Sequence, residues 1–280
     1  MTSVAMIGLG QMGAPMAINA INAGLDVAVF DVSPDATSAF SNLNARVALS
    51  PADAARGANV VCIIVFNDEQ TTEVIAGTDG VLTTLQPGAV IAIHSTIAPE
   101  TVRSLERVAL NEGVHVIDAG ISGGPSGAKA GTLLTMVGGP KEAVTSAMPA
   151  LESFSKEVIH AGELGTGLAL KLARNAAGYI CMTAMHEAMQ IASASGVPLD
   201  VLQHTIAETG VFEQALSPFL FGGPAPLSDD DSDSLREILS HLCALGEKDL
   251  DQALALAQTL DAEVPVTETT RRTFHRVARL

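Results

Sequence analysis

Up to about Gly162 the apolar residues come in short runs, separated by stretches where they recur every three or four positions. The runs Val4–Ile7, Val27–Phe30, Val60–Phe66, Val90–His94, Val114–Ile117 and Thr132–Gly138 are predicted strands. Ala14–Ala23, Pro99–Leu110 and Lys141–Leu151 have the helical period. Strands that alternate with amphipathic helices imply a mainly parallel sheet with helices on both faces, the doubly wound α/β class. Beyond Gly162 the pattern changes. The stretch from Gly165 to Gly196 holds no proline and many helix formers, so it predicts one helix longer than most in globular proteins. Helices are expected next at Leu199–Glu208, Ser234–Leu245, Asp249–Leu260 and Val266–Ala278, with no strand. The expectation is an α/β domain over residues 1–162 and an all-helical domain over 163–280, with the long helix as connector.

The first strand and helix are joined by "GLGQMG", in which Gly8, Gly10 and Gly13 keep the spacing G-x-G-x-x-G. In a Rossmann-like unit the first glycine permits the turn, the second lets backbone approach a pyrophosphate, and the third lets helix and strand pack closely. The helix N-terminus adds unpaired N–H groups for the phosphate oxygens. Asp31 closes the second strand, where an acidic side chain meets the adenosine ribose hydroxyls. A carboxylate there repels a 2′-phosphate, and Val32 and Ser33 supply no arginine to offset it, so NAD is favoured over NADP. The alternative for Asp31 is a plain turn residue ahead of "SPD".

Composition narrows the classes. The chain has 280 residues, 48% of them hydrophobic, which is ample for a core and argues against disorder. Its formal charge of -16, from 15 basic and 31 acidic side chains, disfavours nucleic acid and anionic membranes as partners. Cys62, Cys181 and Cys243 are odd in number and far apart, with neither zinc spacing nor a disulfide framework, so no metal is expected and a reducing cytoplasm fits. The apolar start lacks a basic region and is broken by its glycines, unlike a signal peptide. No apolar run reaches the ~20 residues of a membrane span. The acidic cluster Asp229–Asp231 with Asp233 reads as a solvated helix approach and cap.

Four further segments, "HSTIAPET", "DAGISGGPSGAKAGTL", "GTGLALKLARN" and "EKDLDQALALA", follow the glycine turn in an order that spans almost the whole chain. Together with "GLGQMGAPMA" they resemble the β-hydroxyacid dehydrogenase family, which includes 3-hydroxyisobutyrate dehydrogenase and the tartronate and glyoxylate/succinic semialdehyde reductases. The resemblance implies an oxidoreductase that moves a hydride between NAD(H) and a small β-hydroxy acid or its semialdehyde. It implies cofactor contacts from Gly8, Leu9, Gly10, Gln11, Met12, Gly13, Asp31, Asn67, Thr96 and Lys248. Ser122, Gly123 and Gly124 would bind the substrate carboxylate, Lys171 would carry catalysis and Asn175 would assist. It also implies a homodimer or homotetramer packed through the helical half.

Elementary chemistry supplies a reason for each position beside a plainer alternative. Ser122 to Gly124 expose N–H groups and a hydroxyl, a cradle suited to a carboxylate, or form an ordinary glycine turn. Lys171 and Asn175, four apart, share a helix face. A lysine partly withdrawn from water can take a proton from a hydroxyl and return it, because desolvation lowers its pKa. In an unrelated helix the pair would be a solvent face. Asn67 is otherwise a polar loop residue, and Lys248 with Asp249 a solvated helix start. Arg174 stands where several relatives have asparagine, and either meets a further anionic group or points away. His94 receives no role. Phe212, Phe219 and Phe221 either line the substrate cleft or pack helices. His186 and Glu187 lie ~24 Å along a helix from Lys171, too far to share a reacting atom, and read as structural or interface residues. Alternatives to the dehydrogenase are an imine reductase on the same scaffold, which Lys171 argues against, and a noncatalytic dinucleotide-binding protein.

Overall fold

The computed structural model describes residues 2–214 and 223–280, the side chains of 213 and 214 aside. Its chain divides into two compact units, Met1–Asn175 and Ala176–Leu280.

The first unit is built on eight strands: β1 (Ser3–Ile7), β2 (Asp26–Phe30), β3 (Ala45–Val47), β4 (Val60–Ile63), β5 (Val90–Ile93), β6 (His115–Ser122), β7 (Leu133–Gly138) and β8 (Ser155–Gly162). They lie in the order β3-β2-β1-β4-β5-β6-β7-β8. Every neighbouring pair is parallel except β6 with β7. The connecting helices are α1 (Gly13–Asn22), α2 (Pro34–Ser38), α3 (Pro51–Ala55), α4 (Asp68–Ala76), α5 (Pro99–Asn111), α6 (Gly124–Ala130) and α7 (Lys141–Glu152).

Both faces of the sheet are buried, and successive strand residues go to opposite sides. Val4 and Met6 join a core with Met16 and Ala20 of α1 and Ala147 and Leu151 of α7. Ala5 and Ile7 join the other, with Ile75 of α4 and Val102 and Leu105 of α5. The Rossmann-like doubly wound sheet expected from the alternation is therefore present. Two strands exceed the expectation. β3 has only three residues, and β8 reads "SKEVIHAG", a polar strand at the sheet edge that hydrophobic runs do not reveal. β6 extends past Ile117 to Ser122 through small residues, while β4 stops at Ile63, short of Phe66.

The helix α8 (Thr166–Ala194) is the long one predicted, and the division between the units falls inside it. The second unit continues with α9 (Leu199–Thr209), α10 (Val211–Gln214), α11 (Asp233–Thr259) and α12 (Pro265–Val277), with no strand among its described residues. One expectation is corrected here. Ser234–Leu245 and Asp249–Leu260 are a single helix, α11, with Gly246 in its interior. That glycine is not a break. A Cβ on it would stand 2.1 Å from Cε1 of Phe274, so the missing side chain is what lets α12 lie against α11. Lys248 is consequently a mid-helix residue, not a helix start.

Ser232 caps α11 by accepting from the Leu235 N–H, and Asp231 accepts from both the N–H and the hydroxyl of Ser228, so the acidic loop does serve as helix approach and cap. Glu187, 3% exposed, accepts from the N–H groups of Val266 and Thr267 and from the Thr267 hydroxyl. The carboxylate of α8 thus caps α12 from outside, the structural part foreseen for it. Phe212 is exposed beside Met185 and Met189 in an apolar hollow, while Phe219 and Phe221 lie outside the described residues.

Candidate active site

The glycine turn follows β1 and opens α1, as its spacing predicts. Gly8 has φ +92°, and a Cβ there would stand 2.2 Å from the Ile64 carbonyl oxygen. A Cβ on Gly13 would come within 1.9 Å of the Gly8 oxygen. Gly10 differs, since a Cβ there would meet nothing within 4 Å. Two glycines therefore serve the fold, and the third leaves bare backbone facing open space. Met12 precedes α1 without capping it by a side chain; the Ala14 N–H goes to the Gly10 oxygen and Pro15 has none, so of the first three helical residues Gly13 is the one whose N–H could meet an anion.

Asp31, at the end of β2, accepts from the Leu9 N–H at 2.6 Å and from the Ser33 N–H at 2.8 Å. It is both the turn residue of the plainer reading and the tie between β2 and the glycine turn, and each oxygen keeps a further acceptor site. A cleft of about 660 Å³ opens beside it, lined by Gly8, Gly10, Asp31, Val65, Asn67, Glu69 and Glu73 among others, with no lysine or arginine. Size, bare backbone and diol-accepting carboxylate suit a nicotinamide dinucleotide. Asn67 reaches this cleft as the cap of α4, its Oδ1 accepting from the Gln70 N–H.

Beyond β5, His94, Ser95 and Thr96 take different roles. Ser95 Oγ accepts from the Val65 N–H and donates to the Val65 oxygen, tying the loop after β5 to the loop after β4. His94 is 2% exposed, its Nδ1 donates to the Ala119 oxygen at 2.7 Å, and its ring meets Phe154 edge-on at 5.6 Å. Burial pushes its pKa down to about 4, so the ring is neutral, and Nε2 has no hydrogen-bond partner among the described residues.

Thr96 receives Lys171. The ammonium donates to Thr96 Oγ1 at 2.6 Å. The aliphatic stem crosses β6 at Gly120, where a Cβ would stand 2.9 Å from Lys171 Cδ and 3.1 Å from its Cβ. Partial burial holds the Lys171 pKa below the ordinary lysine value. This is not the solvent face of a generic helix. Asn175, one turn on, accepts at Oδ1 from Arg174 at 3.3 Å, which leaves its amide N–H groups uncommitted in that contact. Arg174 is thus engaged with the neighbouring amide.

Ser122 ends β6, and Gly123 (φ +131°) and Gly124 (φ +62°) turn the chain into α6. A Cβ on Gly124 would meet nothing within 4 Å, a second place where backbone faces open space. The structure therefore brings Thr96, Lys171 and the strand leading to Ser122 together in the first unit. Lys248 belongs to the second unit, exposed on α11 and paired with Asp249 at 3.2 Å. Sequence reasoning missed Asp118 and Gly120. The signal was available in "VIDAGIS", where an acid and a glycine interrupt an otherwise apolar strand. No group of three or more histidines, cysteines, aspartates or glutamates that could hold a metal ion occurs among the described residues.

Residues 3–162 match the NAD binding domain of 6-phosphogluconate dehydrogenase. Over 278 residues the chain is 34% identical to 3-hydroxyisobutyrate dehydrogenase of Pseudomonas aeruginosa, covering 98% of this chain and 91% of that protein. It is also 34% identical to the NAD-dependent L-serine dehydrogenase of that organism over 267 residues, 95% and 89% of the two chains. A Mycobacterium avium 104 protein described as an oxidoreductase has a solved structure of the same fold, with TM-score 0.84, 34% identity, and coverage of 99% and 98%. The imine reductase of Myxococcus stipitatus, solved as a V8 variant with NAD+ and also with NADP+, shares the fold at 18% and 19% identity and TM-scores of 0.82 and 0.77, covering 99% and 100% of this chain and 94% of each of theirs.

Proposed function

The chain belongs to the β-hydroxyacid dehydrogenase family, and on that premise we propose that it interconverts a small β-hydroxy acid and the corresponding semialdehyde with NAD(H). The bound dinucleotide supplies the hydride acceptor or donor. Gly8, Leu9, Gly10, Gln11, Met12 and Gly13 hold its pyrophosphate end, Asp31 its adenosine ribose, and Asn67, Thr96 and Lys248 its remaining length. The acidic, cation-free lining around Asp31 favours NAD over NADP.

The observation that carries this reading is the placement of Lys171: stem over Gly120, nitrogen on a hydroxyl, pKa lowered by burial. In oxidation the neutral amine takes the proton from the substrate hydroxyl. In reduction the ammonium donates it to the carbonyl oxygen. Asn175 orients the reacting oxygen through its amide. Ser122, Gly123 and Gly124 bind the substrate carboxylate through the hydroxyl and backbone N–H groups. The domain assignment that goes with this is dinucleotide binding in residues 1–162 and substrate and subunit contacts in 163–280.

A panel of 3-hydroxyisobutyrate, glycerate, L-serine, 4-hydroxybutyrate, sulfonated analogues and a cyclic imine, each with both cofactors, tests the proposal. The expected outcome is turnover of a 3-hydroxy acid with NAD, reduced about 10²- to 10⁴-fold in Lys171→Ala. Preference for the imine over every hydroxy acid, or full activity without the lysine, would reject it.

We also propose that the protein is a homodimer or homotetramer in the cytoplasm. On α8, Tyr179, Ile180 and Met182 are 65%, 61% and 68% exposed, an apolar surface suited to a second copy of the chain. Light scattering should return two or four times the 28.7 kDa chain mass, and a stable monomer would defeat the assignment.

A further inference from the structure

Asp118, Gly120 and Ser122 occupy one face of β6 at the two-residue period of a strand, while the alternating Ile117, Ala119 and Ile121 enter the opposite core. Asp118 is 1% exposed, where an acid is costly unless its oxygens are hydrogen-bonded. They are. One oxygen accepts from the Gly165 N–H at 2.6 Å and the other from the Leu168 N–H at 2.5 Å. Those groups belong to the opening of α8, whose first N–H groups have no partner within the helix.

The approach depends on two glycines. A Cβ on Gly138 would stand 2.5 Å from Asp118 Oδ1, and one on Gly167 would stand 2.4 Å from the Met136 oxygen. Three residues beyond Leu168 comes Lys171, with its stem on Gly120 and its nitrogen on Thr96.

We infer that Asp118 is a positioning residue for proton transfer, pinning the opening turn of α8 to β6 so that Lys171 keeps its height and rotation against Gly120 and Thr96. This rests on the reading of Lys171 as proton shuttle and adds what holds it in place. The same strand thereby carries the anchor of the amine, the gap for its stem and, in Ser122, the start of the substrate cradle.

Titration of the amine separates positioning from a merely structural part. Of the ionisable groups on the elements that pack here, His94 from β5 is neutral, lowered mainly by burial and to a lesser degree by the lysine charge; Asp118 from β6 reaches the helix of Lys171 through the Gly165 and Leu168 N–H groups, and Arg174, on that helix, is turned to Asn175. A displaced Lys171 regains water, and its pKa rises toward the ordinary value. Oxidation uses the neutral amine, so the acidic limb of its kcat profile then moves to higher pH. Removing the Asp118 charge without displacement would move the limb the other way, because a negative neighbour raises a lysine pKa.

The experiment measures kcat, KM and the pH profile of oxidation for Asp118→Asn, with the panel acid that the wild type oxidises fastest. The expected result is a kcat ~10- to 100-fold lower, little change in KM for NAD, and a limb shifted upward. Gly120→Ala, which crowds the stem without altering charge, should shift the limb in the same direction. If the asparagine variant does not fold, Asp118→Ser, smaller and still able to accept one N–H, is judged by the same criteria. A limb that stays in place or moves down overturns the positioning role, whatever happens to Tm. Lys171→Ala is run in parallel. If it keeps the wild-type limb, the fault lies in the shuttle reading itself and both fall. If it abolishes the limb while Asp118→Asn leaves it unmoved, only the anchor is wrong.

Discussion

Gly10 and Gly13 share one turn and one motif, yet what surrounds them gives opposite expectations for the same substitution. An added methyl at Gly13 meets the Gly8 oxygen at 1.9 Å, so Gly13→Ala must move backbone and should cost on the order of 1–3 kcal/mol, visible as a lower Tm. At Gly10 the methyl enters open space. Gly10→Ala should melt with the wild type and lose affinity for NADH in a fluorescence titration, because the open space is where the pyrophosphate is placed. Equal affinity in Gly10→Ala would remove that glycine from the cofactor site. The spacing of the motif was legible in the sequence, as was the run from Lys171 to Asn175. The part of each glycine was legible with the spacing, Gly10 for backbone facing a ligand and Gly13 for close packing; what was not legible was the partner of Gly8, the Ile64 carbonyl in the loop after β4. Asp118 and Gly120 escaped for a related reason. Their partners, Gly165, Leu168 and Lys171, are some fifty residues away in sequence, and strand periodicity carries no record of them.

At the scale of elements, hydrophobic runs located the six strands that lie in or border the apolar cores and missed the two short of apolar residues, β3 and β8. The long α8 was legible because it runs without proline and is rich in helix formers on both sides of its interior Gly178. The continuity of α11 was not, because glycine inside a helical pattern ordinarily lowers the expectation of helix by about 1 kcal/mol. Tertiary contact overrides that preference here, as the ring of Phe274 occupies the missing side chain's place. Gly246→Ala should therefore destabilise the protein by ~1–3 kcal/mol in chemical denaturation despite alanine's better helix propensity. Combined with Phe274→Leu, which vacates that space, it should cost less than the sum of the two single changes. A stabilising Gly246→Ala would show that propensity, not packing, governs the middle of α11.

For the whole molecule, the strand order and the two cores follow from the alternation of elements, and the family follows from motifs strung along the chain. The substrate does not follow in the same way, because a carboxylate cradle specifies an acid group and leaves the rest of the molecule free. The boundary after Asn175 has a bearing on this. Every side chain credited with moving a proton, and the aspartate that steadies it, precedes that boundary. On the proposed assignment of substrate contacts to residues 163–280, changes confined beyond that boundary would alter which compounds are accepted while the acid–base apparatus is inherited unchanged.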